Sequence, residues 1–305
     1  MLSKIYKIIL FCLVIFYQDI SHSKIFEKKS FDKKNIYNYF SALVSSNNNK
    51  NFESLNFFNS SKVLKESHQS YIKNYLFSLI LSGKINQAVN EVKTIKNESF
   101  ANFFEAQLLL VLDSLKKRKY EKSAHYINNL KKHEEEGTFE FIISNVIEDY
   151  IHLFNKKKIK TNSEDRFGKL SLINKTLQSC YLGKLNTETL FKNLINSEEQ
   201  GNSRYLFFYA NYLLSQNNIK TAKNIFEDID PLNSTLLISQ SKKWMDQENY
   251  YNFKKTFSCK NPSDVVAELL FIVSNLYSTE EELKMSNFFL NLSNYLNPKF
   301  KFNLT

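Results

Sequence analysis

The amino-acid sequence predicts an all-α protein built from about eight antiparallel helix hairpins. The chain has 305 residues, of which only 5 are Gly and 3 are Pro, the residue types that most often end helices. Apolar residues make up 43% of the chain, which is enough for a packed core. Apolar and small residues also recur at helical spacing with a period of 31 to 35 residues, which is typical of stacked helix–turn–helix units.

The first 23 residues predict a secretory signal peptide. Lys4 and Lys7 precede an apolar run over residues 8–17, and a short polar segment ends at Ser23. This is the three-part pattern of an export signal. The apolar run covers about ten residues, whereas a membrane-spanning helix needs about 20. We therefore predict an exported protein of the periplasm or cell envelope, cleaved after Ser23. The alternative is a protein anchored to the membrane by an uncleaved N-terminus.

Seven segments share one pattern, which is clearest in residues 210–231. There, Ile219, Ala222 and Phe226 follow a polar break and precede Pro231. The positions equivalent to Ile219 are Phe52, Ile85, Tyr120, Leu185, Ile219, Tyr250 and Leu283. One interval, of 65 residues, is about twice the others, so we expect an eighth unit near residue 152. Small residues where helices cross and large residues beside them are what close helix packing requires.

The pattern resembles the tetratricopeptide repeat (TPR). The matching residues are Ala210, Leu213, Asn217, Ile219, Ala222, Phe226 and Pro231 in one segment, and Ser286, Leu290, Ser293 and Pro298 in another. The resemblance is to an exported bacterial TPR-like protein and covers residues 37–298. It implies a right-handed α-solenoid, the TPR-like superhelix, because one hairpin cannot bury its apolar face alone. A polar linker at residues 24–36 and a tail at residues 299–305 flank this domain.

The unit near residues 138–168 departs from the pattern. Residues 139–154 have the apolar spacing of one helix, but the residues after them are polar and offer almost nothing to bury. We therefore expect either a very short second helix or a loop after residue 154.

The sequence carries no catalytic or cofactor-binding motif. None of the five His is spaced i, i+4 from another, and no glycine-rich phosphate loop or G-x-S-x-G segment occurs. We therefore predict no enzymatic activity, no cofactor and no metal site. Cys180 and Cys259 are 79 residues apart and belong to separate predicted hairpins. We interpret them as two small buried residues, with a disulfide between them as the alternative.

The TPR resemblance implies binding of protein or peptide partners on the concave face, which the first helices of the hairpins line. The candidate binding residues, all on predicted first helices, are Tyr75, Arg204, Tyr205, Tyr209, Lys243 and Trp244. For Trp244 we favour a place in the core over a binding role, because Leu236, Leu237 and Met245 share its apolar pattern.

The last hairpin predicts a second interaction surface. No polar capping helix follows it, so we expect an apolar end face that supports self-association or docking of a partner. The net charge of +10 is spread along the chain, so we expect no nucleic-acid partner, and membrane contact only through an uncleaved signal segment. The predicted function is a non-catalytic scaffold or adaptor of the cell envelope. The alternatives are a helical platform of a cell-wall-processing complex, an enzyme accessory subunit and an RNA-binding helical repeat.

Overall fold

The computed structural model describes residues 31–160, 166–196 and 203–303. These residues form fifteen α-helices and no β-strand, which confirms the predicted all-α class. The predicted signal peptide lies outside the described residues. None of the helices in the described ranges is both long and apolar enough to cross a membrane.

The described residues form two compact units, which divide between Asn102 and Phe103. The helices of the first unit are α1 (Lys33–Asn47), α2 (Asn51–Ser60), α3 (Gln69–Leu81) and α4 (Ile85–Lys93). Helices α1 and α2 pack as one hairpin, α3 and α4 as another, and α2 also contacts α3. This unit therefore consists of two consecutive helix hairpins that share one core.

The second unit contains the other eleven helices of the described residues. They are α5 (Phe104–Lys116), α6 (Tyr120–Leu130), α7 (Phe139–Lys156), α8 (Lys169–Leu182), α9 (Thr187–Asn196), α10 (Ser203–Ser215), α11 (Ile219–Asn224), α12 (Leu236–Asp246), α13 (Tyr251–Thr256), α14 (Pro262–Thr279) and α15 (Leu283–Leu296). Neighbours along the chain pack pairwise, as in α5 with α6 and α14 with α15.

The second helix of each hairpin begins at a repeated position of the sequence or within two residues of it. Helices α4, α6, α11 and α15 begin at the expected residue, and α2, α9 and α13 begin one or two residues away. The turns before α4 and α9 contain Gly83 and Gly183, with φ of 71° and 72°. Glycine adopts this left-handed conformation without a steric cost, which explains its position at the end of a first helix.

The fourth repeat, near residues 138–168, contains one long helix, as its sequence predicts. Helix α7 ends where Lys157 adopts a left-handed backbone conformation, with φ of 55°. The described residues that follow, 157–160 and 166–168, are not helical, and the next helix is α8. In the part of the chain that the structure describes, α7 has no second helix of its own.

The last hairpin packs back on earlier helices of the second unit. Helix α14 contacts α5 and α7 in addition to α15. The rings of Phe139 and Tyr277 meet edge to face at 4.7 Å. Helix α15 also reaches α5, where Lys116 donates a 2.5 Å hydrogen bond to the carbonyl oxygen of Tyr295. These contacts join the third and fourth repeats of the chain to the eighth repeat.

This closure covers much of the apolar end face that the sequence predicts. Phe288, Phe289, Leu292 and Leu296 of α15 are buried, Leu290 and Tyr295 are half-buried, and Leu283 at its start is 61% exposed. The physical reason lies in α14, which is apolar on most of its circumference and needs cover on several sides. Helices α5, α7 and α15 supply that cover.

The cysteines correct one expectation. Cys180 and Cys259 form a disulfide, with their Cα atoms 5.9 Å apart. It links the end of α8 to the segment between α13 and α14. The interpretation as two unpaired buried residues is therefore wrong. That interpretation relied on the long separation of the two cysteines along the sequence. In the structure, non-neighbouring hairpins of the second compact unit contact one another.

Candidate functional site

Three of the predicted binding residues belong to the core. Tyr75, in the first unit, is buried, and its hydroxyl donates a 2.9 Å hydrogen bond to Asn59. Tyr205 and Tyr209 of α10 are also buried, and the Tyr209 hydroxyl donates to Glu188 at 3.2 Å. These tyrosines do not line an open face, because their rings fill the core, and hydrogen bonds satisfy the hydroxyls of Tyr75 and Tyr209.

Arg204 holds helices together rather than facing solvent. Its Nε and Nη2 atoms donate to the two carboxylate oxygens of Glu268 on α14, at 2.8 and 2.6 Å. Nη2 also donates to Asn303 Oδ1 at 2.6 Å. The guanidinium lies 3.9 Å from the centre of the Phe271 ring. These contacts occupy the guanidinium, so it is not available to a partner.

Helix α12 carries the remaining two predicted residues. Trp244 is half-buried, and its ring packs edge to face against Phe253 at 5.6 Å and Phe302 at 5.8 Å. Lys243, next to it, is exposed. Trp244 therefore fixes the position of α12, and Lys243 is the predicted binding residue that remains on the surface.

Two surface cavities flank α12. The first, of about 420 Å³, lies toward α11 and is lined by Lys223, Asn224, Phe226, Glu227, Lys242, Met245 and Asp246. The second, of about 460 Å³, lies toward the short turn at Pro231–Asn233 and is lined by Pro231, Leu236, Ser239, Gln240, Lys242, Lys243, Asp246 and Gln247. Lys242 and Asp246 line both cavities and form an ion pair at 3.2 Å. We call the residues that line the two cavities, together with Leu232, the α12 surface.

The α12 surface combines exposed apolar side chains with polar ones. Leu232 and Leu236 are 93% and 55% exposed, although leucine is among the residues most often buried. Lys223 is paired with Glu248 at 2.6 Å, whereas no ion pair in the described ranges includes Lys243. Gln240 and Gln247 each offer an amide that donates and accepts hydrogen bonds. The surface therefore presents apolar contact area, the charges of Lys243 and Glu227 outside any ion pair in the described ranges, and groups that bind a peptide backbone.

Sequence reasoning missed the two leucines. A signal for Leu232 is present, because it stands between Pro231 and Asn233 in a turn, where an apolar residue has no helix face to join. Leu236 is the first residue of α12 and matches the apolar helix pattern, so nothing in the sequence distinguishes it from a core residue.

No family model, curated protein or solved structure matches the chain. The resemblance to the tetratricopeptide repeat therefore depends on the repeated positions alone. In the described ranges no group of three or more His, Cys, Asp or Glu residues is arranged to hold a metal ion. We therefore base the proposed function on the chemistry of the α12 surface.

Proposed function

We propose that the protein is a non-catalytic helical-hairpin repeat protein that binds a peptide segment of a partner protein on the α12 surface. The observation that carries the proposal is the exposure of Leu232 and Leu236 beside two cavities of more than 400 Å³ each. Exposed apolar area rimmed by polar groups is typical of protein–protein contact sites.

The proposed ligand is a peptide with a large apolar side chain and a nearby carboxylate. The apolar side chain enters the cavity beside Leu236, and the carboxylate meets the ammonium group of Lys243. A charge pair at the rim of such a site contributes more to the association rate than to the affinity. The leucines therefore supply most of the affinity, and Lys243 contributes to selection of the peptide.

We further propose that the hairpins form a TPR-like, right-handed repeat array. The regular positions at which the second helices begin support this arrangement. The contacts of α14 with α5 and α7 make the second unit more closed than an open solenoid. Arg204 is paired with Glu268 of α14, and Tyr209 packs on Phe191 of α9, so the proposed binding surface lies on α12 instead.

The proposed location is the cell envelope, after export. Disulfides persist in oxidising compartments outside the cytosol, and the Cys180–Cys259 bond supports this location together with the N-terminal sequence pattern.

The test is a cross-linking and affinity capture of envelope proteins, followed by binding of peptides derived from the captured partner. The double substitution L232S/L236S is expected to weaken peptide binding at least tenfold, because it removes the apolar contact area. The control is L283S on α15, where the replaced leucine is 61% exposed but lies outside the α12 surface. Equal binding by L232S/L236S and L283S would refute the proposal.

A further inference from the structure

A group of positive charges lies where the first helices of three consecutive repeats end. Arg118 and Lys119 lie in the turn between α5 and α6, Lys122 in the first turn of α6, Lys157 at the end of α7, and Lys184 after α8. We call these five residues, together with Leu185, the basic tip surface. All six are exposed to solvent.

Ring contacts hold the three ends beside one another. The Tyr120 ring, at the start of α6, lies 6.0 Å from the Phe154 ring of α7. Phe154 in turn meets the Tyr181 ring of α8 edge to face at 5.0 Å. The Lys157 ammonium lies 4.8 Å from the centre of the Tyr181 ring and donates a hydrogen bond to its hydroxyl. The charges therefore belong to one surface rather than to three separate turns.

A cavity opens within this surface. It has a volume of about 420 Å³ and is lined by Arg118, Lys119, Tyr120, Glu121, Lys122 and Asn155. Three of these side chains are cationic, and Glu121 is the one carboxylate among them. The cavity therefore offers an anion several cationic donors at once.

The charges of the basic tip surface are not neutralised by the described part of the chain. No ion pair there includes Arg118, Lys119, Lys122, Lys157 or Lys184. Lys117, next to Arg118, shows the contrast, because it pairs with the buried carboxylate of Asp113 at 2.7 Å. Such a concentration of like charge lowers stability by self-repulsion, and a bound anion relieves it.

Leu185 adds an apolar group to the same surface. It follows Lys184 in the turn before α9 and is fully exposed. A leucine beside cations at the end of a turn has the composition of an interfacial membrane contact, where the cations meet headgroups and the apolar side chain enters the acyl boundary.

We propose that the basic tip surface docks on a membrane surface that contains anionic phospholipids. The cations bind the lipid phosphates, and Leu185 inserts between the lipids. A nucleic acid also presents phosphates, but it offers no apolar layer for Leu185, so the lipid surface fits all the observations. The proposal does not depend on the α12 surface.

The test is sedimentation of the full chain with vesicles of phosphatidylcholine, with or without one-third phosphatidylglycerol. We expect binding to the anionic vesicles, weakened by salt, and little binding to the neutral ones. Each cation near a charged membrane contributes about fivefold in affinity, so R118Q/K119Q/K122Q is expected to lose about a hundredfold. L185S is expected to lose about tenfold.

The matched control is K254Q/K255Q/K301Q, which removes the same number of exposed cations elsewhere in the second unit. It is expected to bind like the unmodified chain. All variants share one N-terminus, so a difference between the two triple variants belongs to the basic tip surface. Circular dichroism checks that both keep their helices, and L232S/L236S is expected to bind vesicles normally.

Three results would overturn the proposal. The first is equal vesicle binding by the two triple variants. The second is binding of a single-stranded oligonucleotide that R118Q/K119Q/K122Q loses, without vesicle binding. The third is competition by millimolar inorganic phosphate together with normal binding by L185S, which would indicate a site for free phosphate.

Discussion

The guanidinium of Arg204 and the carboxylate of Glu268 form a two-bond ion pair in the interior of the second unit. The two distances are 2.8 and 2.6 Å, and the Glu268 side chain is 1% exposed. The pair joins α10 to α14, and through Asn303 it also reaches the end of the described chain. Burial of two charges is tolerated here because each is matched in geometry and sign.

Removal of one partner of this pair is expected to destabilise the protein strongly. R204M leaves the Glu268 carboxylate buried without its cation, which costs about 3–5 kcal/mol. The measurement is urea unfolding followed by circular dichroism. K242A, which breaks the exposed pair with Asp246, is the control and should cost less than about 1 kcal/mol. Similar stability of R204M and K242A would contradict the prediction.

Reduction of the disulfide is expected to lower stability. The bond between Cys180 and Cys259 closes a loop of 79 residues, and such a cross-link typically contributes about 2–4 kcal/mol. We expect a lower thermal midpoint in the presence of reductant, whereas C180S/C259S should be insensitive to reductant. A thiol assay that finds both cysteines free in unreduced protein would rule out the bond.

The carboxyl group of Asp264 is expected to make stability depend on pH. Burial raises its pKa from 3.8 to about 6, although hydrogen bonds from the Ser258 amide and the Asn261 side chain oppose the shift. The folded state therefore holds a proton that the unfolded state releases, and stability falls as the pH rises from about 4 to about 6.

This contribution is at most about 3 kcal/mol, since one pKa unit corresponds to about 1.4 kcal/mol. The measurement is the free energy of unfolding at several pH values for the unmodified chain and for D264N. We expect the loss between pH 4 and 6 to be smaller in D264N. An unchanged pH profile would show that another group is responsible.

We expect the turn before α4 to require glycine because of its left-handed backbone conformation, and not because a side chain would clash there. Gly83 has φ of 71°, and a Cβ added there meets no atom within 4 Å. G83A is therefore expected to cost about 1–2 kcal/mol without any steric clash. N217G provides the reverse test, because Asn217 adopts φ of 59°, and it should leave stability unchanged or raise it. Equal stability of G83A and the unmodified chain would contradict this explanation.

The hairpin positions were predictable from the sequence because they depend on local chemistry. Spacing of apolar residues defines a helix face, and residues such as Gly83 and Asn217 mark the turns. The start of α11 at Ile219 and the single helix of the fourth repeat both follow from such signals.

The contacts between distant hairpins were not predictable in this way. An apolar face shows that a helix is covered, but not by which other helix, so the packing of α14 on α5 and α7 left no signal. The disulfide between Cys180 and Cys259 and the burial of Tyr205 likewise involve contacts that local sequence patterns do not show. Tyr75, Arg204, Tyr205 and Tyr209 were predicted to line an open face, but contacts within the chain bury them or hold them in place, whereas Lys243 is exposed.

The position of α14 also has a consequence for biosynthesis. The surfaces of α5 and α7 that it covers emerge from the ribosome long before residues 262–279 are made. In an open array each hairpin finds its neighbour as soon as it is synthesised. Here the third and fourth repeats need a late segment, so the second compact unit can reach its final structure only after residues 262–279 have been synthesised.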